Sequence, residues 1–291
     1  MQSAHNAFTR PDRAVYVSAV PDQDVGWAGA ITGFLTTLRA AGRSPETVKL
    51  RATQLGRAAA AFPAGPWTVS GPELREWVAS HGWSRETLRM WRAAFRSFYG
   101  WAVAEGLIEV DPSRALPSVR PAPPNPRPIP EKGYRVALGT PDERIYLMVR
   151  LAAELGLRRS EVAQAAREDL ERDLYGFSLI VHGKGGKVRR VPVDDGLALA
   201  IERQPAGFLF PGRIDGHLSA RYVGKLVART LPDAWTMHSL RHRFGTVAYA
   251  VEHDLITVSE LMGHASVATT RIYVAVPAEA ARRTVAAVAR L

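Results

Sequence analysis

The chain has 291 residues and a formal net charge of +10, with Lys and Arg spread along its whole length and a sequence pI near 10.3. It is long enough for two domains with real apolar cores, and its basic balance fits a polyanionic partner, nucleic acid first among them. The absence of cysteine excludes disulfides, thiolate metal sites and cysteine nucleophiles, while no apolar run approaches the ~20 residues that cross a bilayer and the opening MQSAHNAFTRPDRAV lacks a signal-peptide core, so a cytoplasmic protein is expected.

In chain order, DVGWAGAITGFLTTLRAAGRS places Trp27, Ile31, Phe34, Leu35 and Leu38 at helical spacing and stops at Gly42. Ser44 then serves as an N-cap with Pro45 at the first helical position, opening SPETVKLRATQLGRAAAAF. Two further helices are expected in GPELREWVASHG and SRETLRMWRAAFRSFYGWAVAEG. Basic residues ride on these helices: Arg43, Lys49, Arg51 and Arg57 with one, Arg85, Arg89, Arg92 and Arg96 with another. A row of cations on a helix either neutralises nucleic-acid phosphates or simply faces solvent.

The proline-rich stretch from Pro117 to Pro130 favours extended backbone and reads as an interdomain linker. The expected division is a tail over 1–20, a helical domain over 21–116, the linker over 117–130 and a second domain over 131–291. Beyond the linker the pattern is again helical, except that LYGFSLIVHGKGGKVRRVPVDD alternates apolar and polar residues around GKGG, a hairpin signature with Lys184 in its turn. Helices are expected in MHSLRHRFGTVAYAVEHD, ITVSELMGHAS, VATTRIYVAV and PAEAARRTVAAVARL.

Four short motifs carry candidate chemistry: GLRRSE from Gly156, HGKGGK from His182, HSLRH from His238 and MGHASVATTRIY from Met262. Taken singly, each has an ordinary explanation: a surface arginine paired with Glu161, a turn, a satisfied helix end, a packed tyrosine. In HSLRH, His238 and Arg241 share a helix face, where imidazole and guanidinium can converge on one oxyanion. A zinc set of His238, His242 and His264 is the weaker account, since neither HExxH nor cysteine ligands are present.

In this order, Arg158, Lys184, His238, Arg241, His264 and Tyr273 resemble the active-site signature of tyrosine recombinases and phage integrases. SPETVKL and RETLRMWRAAFRSFYGWAVAEGLIEVDPSRAL resemble the core-DNA-binding domain of the Xer and integrase branch, so the likeness runs from about Trp27 onward. It implies a mainly α protein: an all-helical core-DNA-binding domain and a mostly helical catalytic domain with a small antiparallel sheet, forming a C-shaped clamp on double-stranded DNA. With few residues ahead of Trp27, no room is expected for the arm-site domain of many phage integrases.

The resemblance also implies a mechanism. Tyr273 attacks a DNA phosphate, giving a 3′-phosphotyrosyl bond and a free 5′-hydroxyl. Arg158 and Arg241, with His264, meet the charge of the transition state, His238 acts as general base and Lys184 as general acid. No cofactor or metal is implied, and strand exchange passes through a Holliday junction in a homotetramer on two DNA sites, with an accessory protein as a further possible partner. Glu161 and His242 remain unassigned, as does whether the C-terminal helix packs on its own domain or a neighbour. Integration or excision of a phage or mobile element is the leading expectation. Xer-type dimer resolution, a type IB topoisomerase and a non-catalytic DNA-binding regulator are the alternatives.

Overall fold

A computed structural model describes residues 26–122, 125–183, 185–264 and 270. The chain divides into two compact units, which part after Ala122. The 1–20 segment, Lys184, Tyr273 and the stretch PAEAARRTVAAVARL lie outside the described residues, and VATTRIYVAV lies outside them apart from Thr270.

The first unit is all helical: α1 (Trp27–Ala40), α2 (Pro45–Ala61), α3 (Gly71–Ala79) and α4 (Arg85–Ala104), followed by a 3₁₀ turn over Pro112–Ala115. Serines define the starts. The Ser44 and Ser84 hydroxyls accept the N–H of Thr47 and Thr87, and Ser70 forms a reciprocal capping box with Glu73. Glycines at positive φ end two of these helices, Gly42 after α1 and Gly106 after α4. Helical spacing turns Trp27, Phe34 and Leu35 of α1 inward, onto Trp91, Phe95, Phe98 and Tyr99 of α4. Phe98 stacks on Trp27 and Trp67 with ring centroids 5.6 and 5.8 Å away, and the Trp27 indole N–H donates to the Phe62 carbonyl at 2.7 Å.

The second unit contains α5 (Glu131–Leu138), α6 (Glu143–Glu154), α7 (Arg159–Gln164), a three-stranded sheet, α8 (Asp195–Glu202), α9 (Ala220–Ala228), α10 (Met237–Glu252) and α11 (Leu255–Met262). Helix α6 is its axle. Met148, Val149, Leu151 and Ala152 have no exposed surface, and α5, α7, α8, α9 and α10 all pack on it. Truncating Leu151 to Ala here costs about 2–5 kcal/mol. The linker's end belongs to this unit: Ile129 is buried and its N–H donates to the Ser239 carbonyl on α10 at 3.2 Å.

The sheet is antiparallel with order β1 (Leu170–Asp173), β2 (Gly176–His182), β3 (Val188–Val193). Leu179 pairs with Val191 and Val181 with Arg189, so Leu179, Val181, Val191 and Val193 form one buried face. The hairpin expected from Leu174 onward is therefore shorter, and it has a third strand. Leu174 and Tyr175 are 97% and 98% exposed in the β1–β2 turn, which forms because the Asp173 carboxylate accepts the Tyr175 N–H and Gly176 takes a φ of +134°. A further short strand, Pro211–Ile214, bridges back to His217.

Candidate active site

Three turns bring the candidate residues together. At the end of α6, Gly156 adopts φ +64°, and a Cβ there would lie 2.4 Å from Phe244. Only glycine allows this reversal, which delivers Arg158 to the N-cap of α7. Next, α10 starts at Met237 and presents His238 and Arg241 one turn apart. Finally, α11 ends at Gly263 with φ +62°, and this turn brings in His264.

The group at the centre is the Glu161 carboxylate, with a side chain only 1% exposed. Its Oε1 accepts from Arg158 Nη1 at 2.7 Å and from Arg189 Nη1 at 3.0 Å. Its Oε2 accepts from the Arg158 backbone N–H at 2.8 Å and from Arg189 Nη2 at 2.9 Å. Arg241 Nη1 stands 3.8 Å from Oε2. Burial alone would raise this carboxyl, but hydrogen bonds and charge from Arg189, joined by Arg158, outweigh it and hold the group down at about 2.

Arg241 is 1% exposed. Its Nη1 donates to the Gly156 carbonyl, and its Nη2 donates to the Met262 carbonyl at 2.7 Å and to His264 Nε2 at 2.8 Å. Arg158 Nη2 donates to the Gly263 carbonyl at 3.0 Å. Because His264 Nε2 accepts from a guanidinium, its ring proton sits on Nδ1, 2.9 Å from Thr270 Oγ1. Burial first, then Arg241, Arg158 and Arg189, press its pKa to about 3. His264 is thus a neutral imidazole.

His238 lines a cavity with Arg158, Arg159, Met237 and Arg241. Burial, then the charges of Arg241, Arg159 and Arg158, lower its pKa, so it too is neutral. Its ring meets that of His242 edge to face at 4.6 Å. A second hollow on the other side of Arg158 is lined by Gly183, Lys187, Arg189, Gly263 and His264.

Arg158 and Arg241 therefore gather at one buried carboxylate, with His264 held on Arg241 and His238 beside both arginines in the cavity. Glu161, unassigned from sequence, proves to be its organiser. Arg189 was missed altogether, although the strand pattern carried a signal: its place is in the inward series with Val191 and Val193, where a lone arginine requires a buried partner. No three His, Cys, Asp or Glu side chains among the described residues form a metal-holding group.

Guanidiniums and a neutral imidazole lining a cavity, with a second neutral imidazole held on one of those guanidiniums, define a class of site suited to a phosphate-like anion and to proton transfer beside it. The phage integrase family profile matches residues 134–279. Tyrosine recombinase XerC of Nitrobacter winogradskyi is 31% identical across 95% of this chain and 96% of its own length. XerC of Xanthomonas axonopodis pv. citri is 33% identical across 74% and 76%. A lambda integrase dimer bound to a COC′ core site superposes with a TM-score of 0.68 at 17% identity, over 86% of this chain and 77% of that one; this likeness shows the fold. The chain belongs to the phage integrase family and is a tyrosine recombinase, an enzyme of site-specific recombination.

Proposed function

We propose that this recombinase cleaves and rejoins double-stranded DNA through a 3′-phosphotyrosyl bond on Tyr273 and a Holliday junction, in the service of integration or excision of a phage or mobile element. The observation that carries the reading is the convergence of three separate segments: Arg158, His238 and Arg241 line one cavity, and His264 joins them through its bond with Arg241. Attack on a phosphodiester adds negative charge to the non-bridging oxygens of the transition state, and preorganised guanidiniums stabilise that charge. Arg158 and Arg241 take this role, with His264 completing it through its contact with Arg241. His238, neutral beside three arginines, accepts the Tyr273 proton. Lys184, which falls between the β2 and β3 residues in the sequence, protonates the leaving 5′-oxygen. The energy of the broken ester is kept in the phosphotyrosine, so this chemistry needs no nucleotide or metal.

In the same proposal residues 21–116 form the core-DNA-binding domain, 117–130 the linker and 131–291 the catalytic domain. Four copies act on two sites in the cytoplasm, with or without an accessory protein. Lambda integrase bound to a core site and XerH bound to difH support a DNA partner. A second reading, Xer-type resolution of chromosome or plasmid dimers, is favoured by the near full-length match to XerC.

The test is a labelled duplex recovered from a randomised pool by binding to Tyr273→Phe protein, nicked so that the freed strand diffuses away. Wild type is expected to form a denaturation-resistant DNA adduct and Tyr273→Phe none. An adduct on Tyr273→Phe removes the nucleophile assignment, and no adduct on wild type favours a regulator. Relaxation of supercoils without strand exchange points to a topoisomerase. Dimer resolution and integration separate on plasmids carrying two copies of the recovered site.

A further inference from the structure

We propose that Arg189 is a positioning residue of this reaction: it occupies half of the Glu161 carboxylate, so that Glu161 orients Arg158 without drawing Arg241 away from the phosphate. The inference rests on the recombination reading and extends it to a side chain outside the six-residue signature.

An ionised carboxylate offers about four acceptor positions. Around Glu161 all four are filled, two by Arg158 and two by Arg189, at 2.7–3.0 Å. Arg241 stands just outside, at 3.8 Å. The same Arg189 donates from Nε to the Leu261 carbonyl at 2.8 Å, and its Nη1 would be only 2.8 Å from a Cβ on Gly263. Arg158 takes the neighbouring Gly263 carbonyl. Two guanidiniums thus hold the C-terminal end of α11, where the helix dipole favours cations, and one of them belongs to β3. Gly183 follows β2: a Cβ there would sit 3.7 Å from Glu161 Oε1 and 3.9 Å from Arg189 Nη1. One ion pair therefore ties α7, β3 and the turn after α11 together.

The charge balance gives this arrangement its consequence. Three guanidiniums around one carboxylate leave two net positive charges, and with Glu161 filled by Arg158 and Arg189 the Arg241 guanidinium stays outside it. Remove Arg189, and two acceptor positions on a buried anion fall open with Arg241 the next cation in reach. An unsatisfied buried carboxylate is costly, so Glu161 recruits Arg241 and weakens its hold on the transition state. A simple anchor for the hairpin has no such dependence on Glu161.

The experiment is a double-mutant cycle on the full chain, using the same nicked duplex. The single-turnover rate of adduct formation and DNA affinity are measured for wild type, R189Q, E161Q and the E161Q/R189Q double variant. R189Q is expected to slow adduct formation by about tenfold or more while affinity changes by less than about threefold. In the E161Q protein the same substitution is expected to cost less than about threefold, because Arg189 acts through Glu161. Equal factors in the two backgrounds, or a wild-type rate for R189Q, overturn the proposal. Where R189Q does not fold, R189K, which keeps the charge but not the two-pronged grip, is carried through the same cycle and judged by the same comparison. Absence of any adduct on wild type instead overturns the recombination reading, and this proposal with it.

Discussion

Arg241 donates from Nη2 to Nε2 of His264 at 2.8 Å, and this bond fixes the imidazole as a neutral acceptor. The folded protein holds His264 near a pKa of about 3, whereas the unfolded chain takes up a proton near the ordinary histidine value of 6.5. Below that pH the unfolded state binds more protons, so stability falls as pH falls, starting before any carboxylate titrates. Glu161, depressed from 4.5 to about 2, adds a second loss only below 4.5. Urea unfolding at a series of pH values is expected to show this two-stage decline. His264→Asn, which keeps an acceptor for Arg241, is expected to lessen the upper stage, leaving the share of His238, whose pKa is also lowered, and to spare the lower. A profile in that variant unchanged between pH 6.5 and 4.5 contradicts the assignment.

His238 gives a kinetic counterpart. Burial lowers its pKa first, followed by Arg241, Arg159 and Arg158. In the proposed role of base for Tyr273 it would act when neutral, and the adduct-forming rate is then expected to be level through neutral pH and to fall only below the ordinary histidine range. Arg159 lines the cavity and is exposed, and it is the arginine most easily changed without touching Glu161. Arg159→Gln is expected to move the acid limb to higher pH, because the imidazolium then meets less repulsion. A limb that stays in place, or moves to lower pH, shows that Arg159 does not act on His238.

Much of the fold was legible because its signals are local. Ser44 with Pro45 marks a helix start within two residues of chain, and the spacing of Trp27, Phe34 and Leu35 identifies the buried face of α1. Strand β1 was not legible: Leu170, Glu171, Arg172 and Asp173 are mostly polar and become a strand only by pairing with β2. Leu174 and Tyr175 misled in the opposite sense, as apolar residues in an exposed turn. In the site, Arg158, His238, Arg241 and His264 stand out by motif. The bond between Arg189 and Glu161 depends on the β2–β3 register and on the packing of α7, neither of which any short motif encodes.

Two glycines are required by the geometry around the arginines. At Gly263, φ is +62° and a Cβ would lie 2.8 Å from Arg189 Nη1. At Gly156, φ is +64° and a Cβ would lie 2.4 Å from the Phe244 ring. The left-handed backbone alone costs an L-residue about 1–2 kcal/mol, and displaced neighbours add to it. Gly156→Ala is expected to destabilise more than Gly263→Ala, because an aromatic ring yields less readily than the end of an arginine. Gly263→Ala is expected to lose proportionally more cleavage than stability, since the guanidinium it displaces holds Glu161. Urea midpoints together with single-turnover rates test both orderings, and an equal loss of rate in a fully folded Gly156→Ala and Gly263→Ala pair contradicts the second.

The cations of the first unit divide into two groups. Arg51 donates to Gln54 at 2.7 Å, Arg89 pairs with Glu86 at 3.1 Å, Arg92 donates to the Leu116 carbonyl at 3.4 Å and Arg96 reaches Asp111 at 3.5 Å. Arg43, Lys49, Arg57 and Arg85 are exposed and have no carboxylate within 4.0 Å among the described residues. If the first unit grips DNA by its phosphates, the second group is available to do so and the first is partly committed to the fold. Alanine at Arg43, Lys49, Arg57 or Arg85 is expected to weaken binding to the recovered duplex and to lower the slope of log K against log salt by about 0.9 for each phosphate no longer neutralised. Alanine at Arg51 or Arg92 is expected to lower stability, because half-buried stems lose packing as well as charge, with a smaller change in slope. Salt titrations of binding and urea unfolding on the same variants separate the two groups, and slopes that fall equally in both show that the intramolecular contacts yield to DNA.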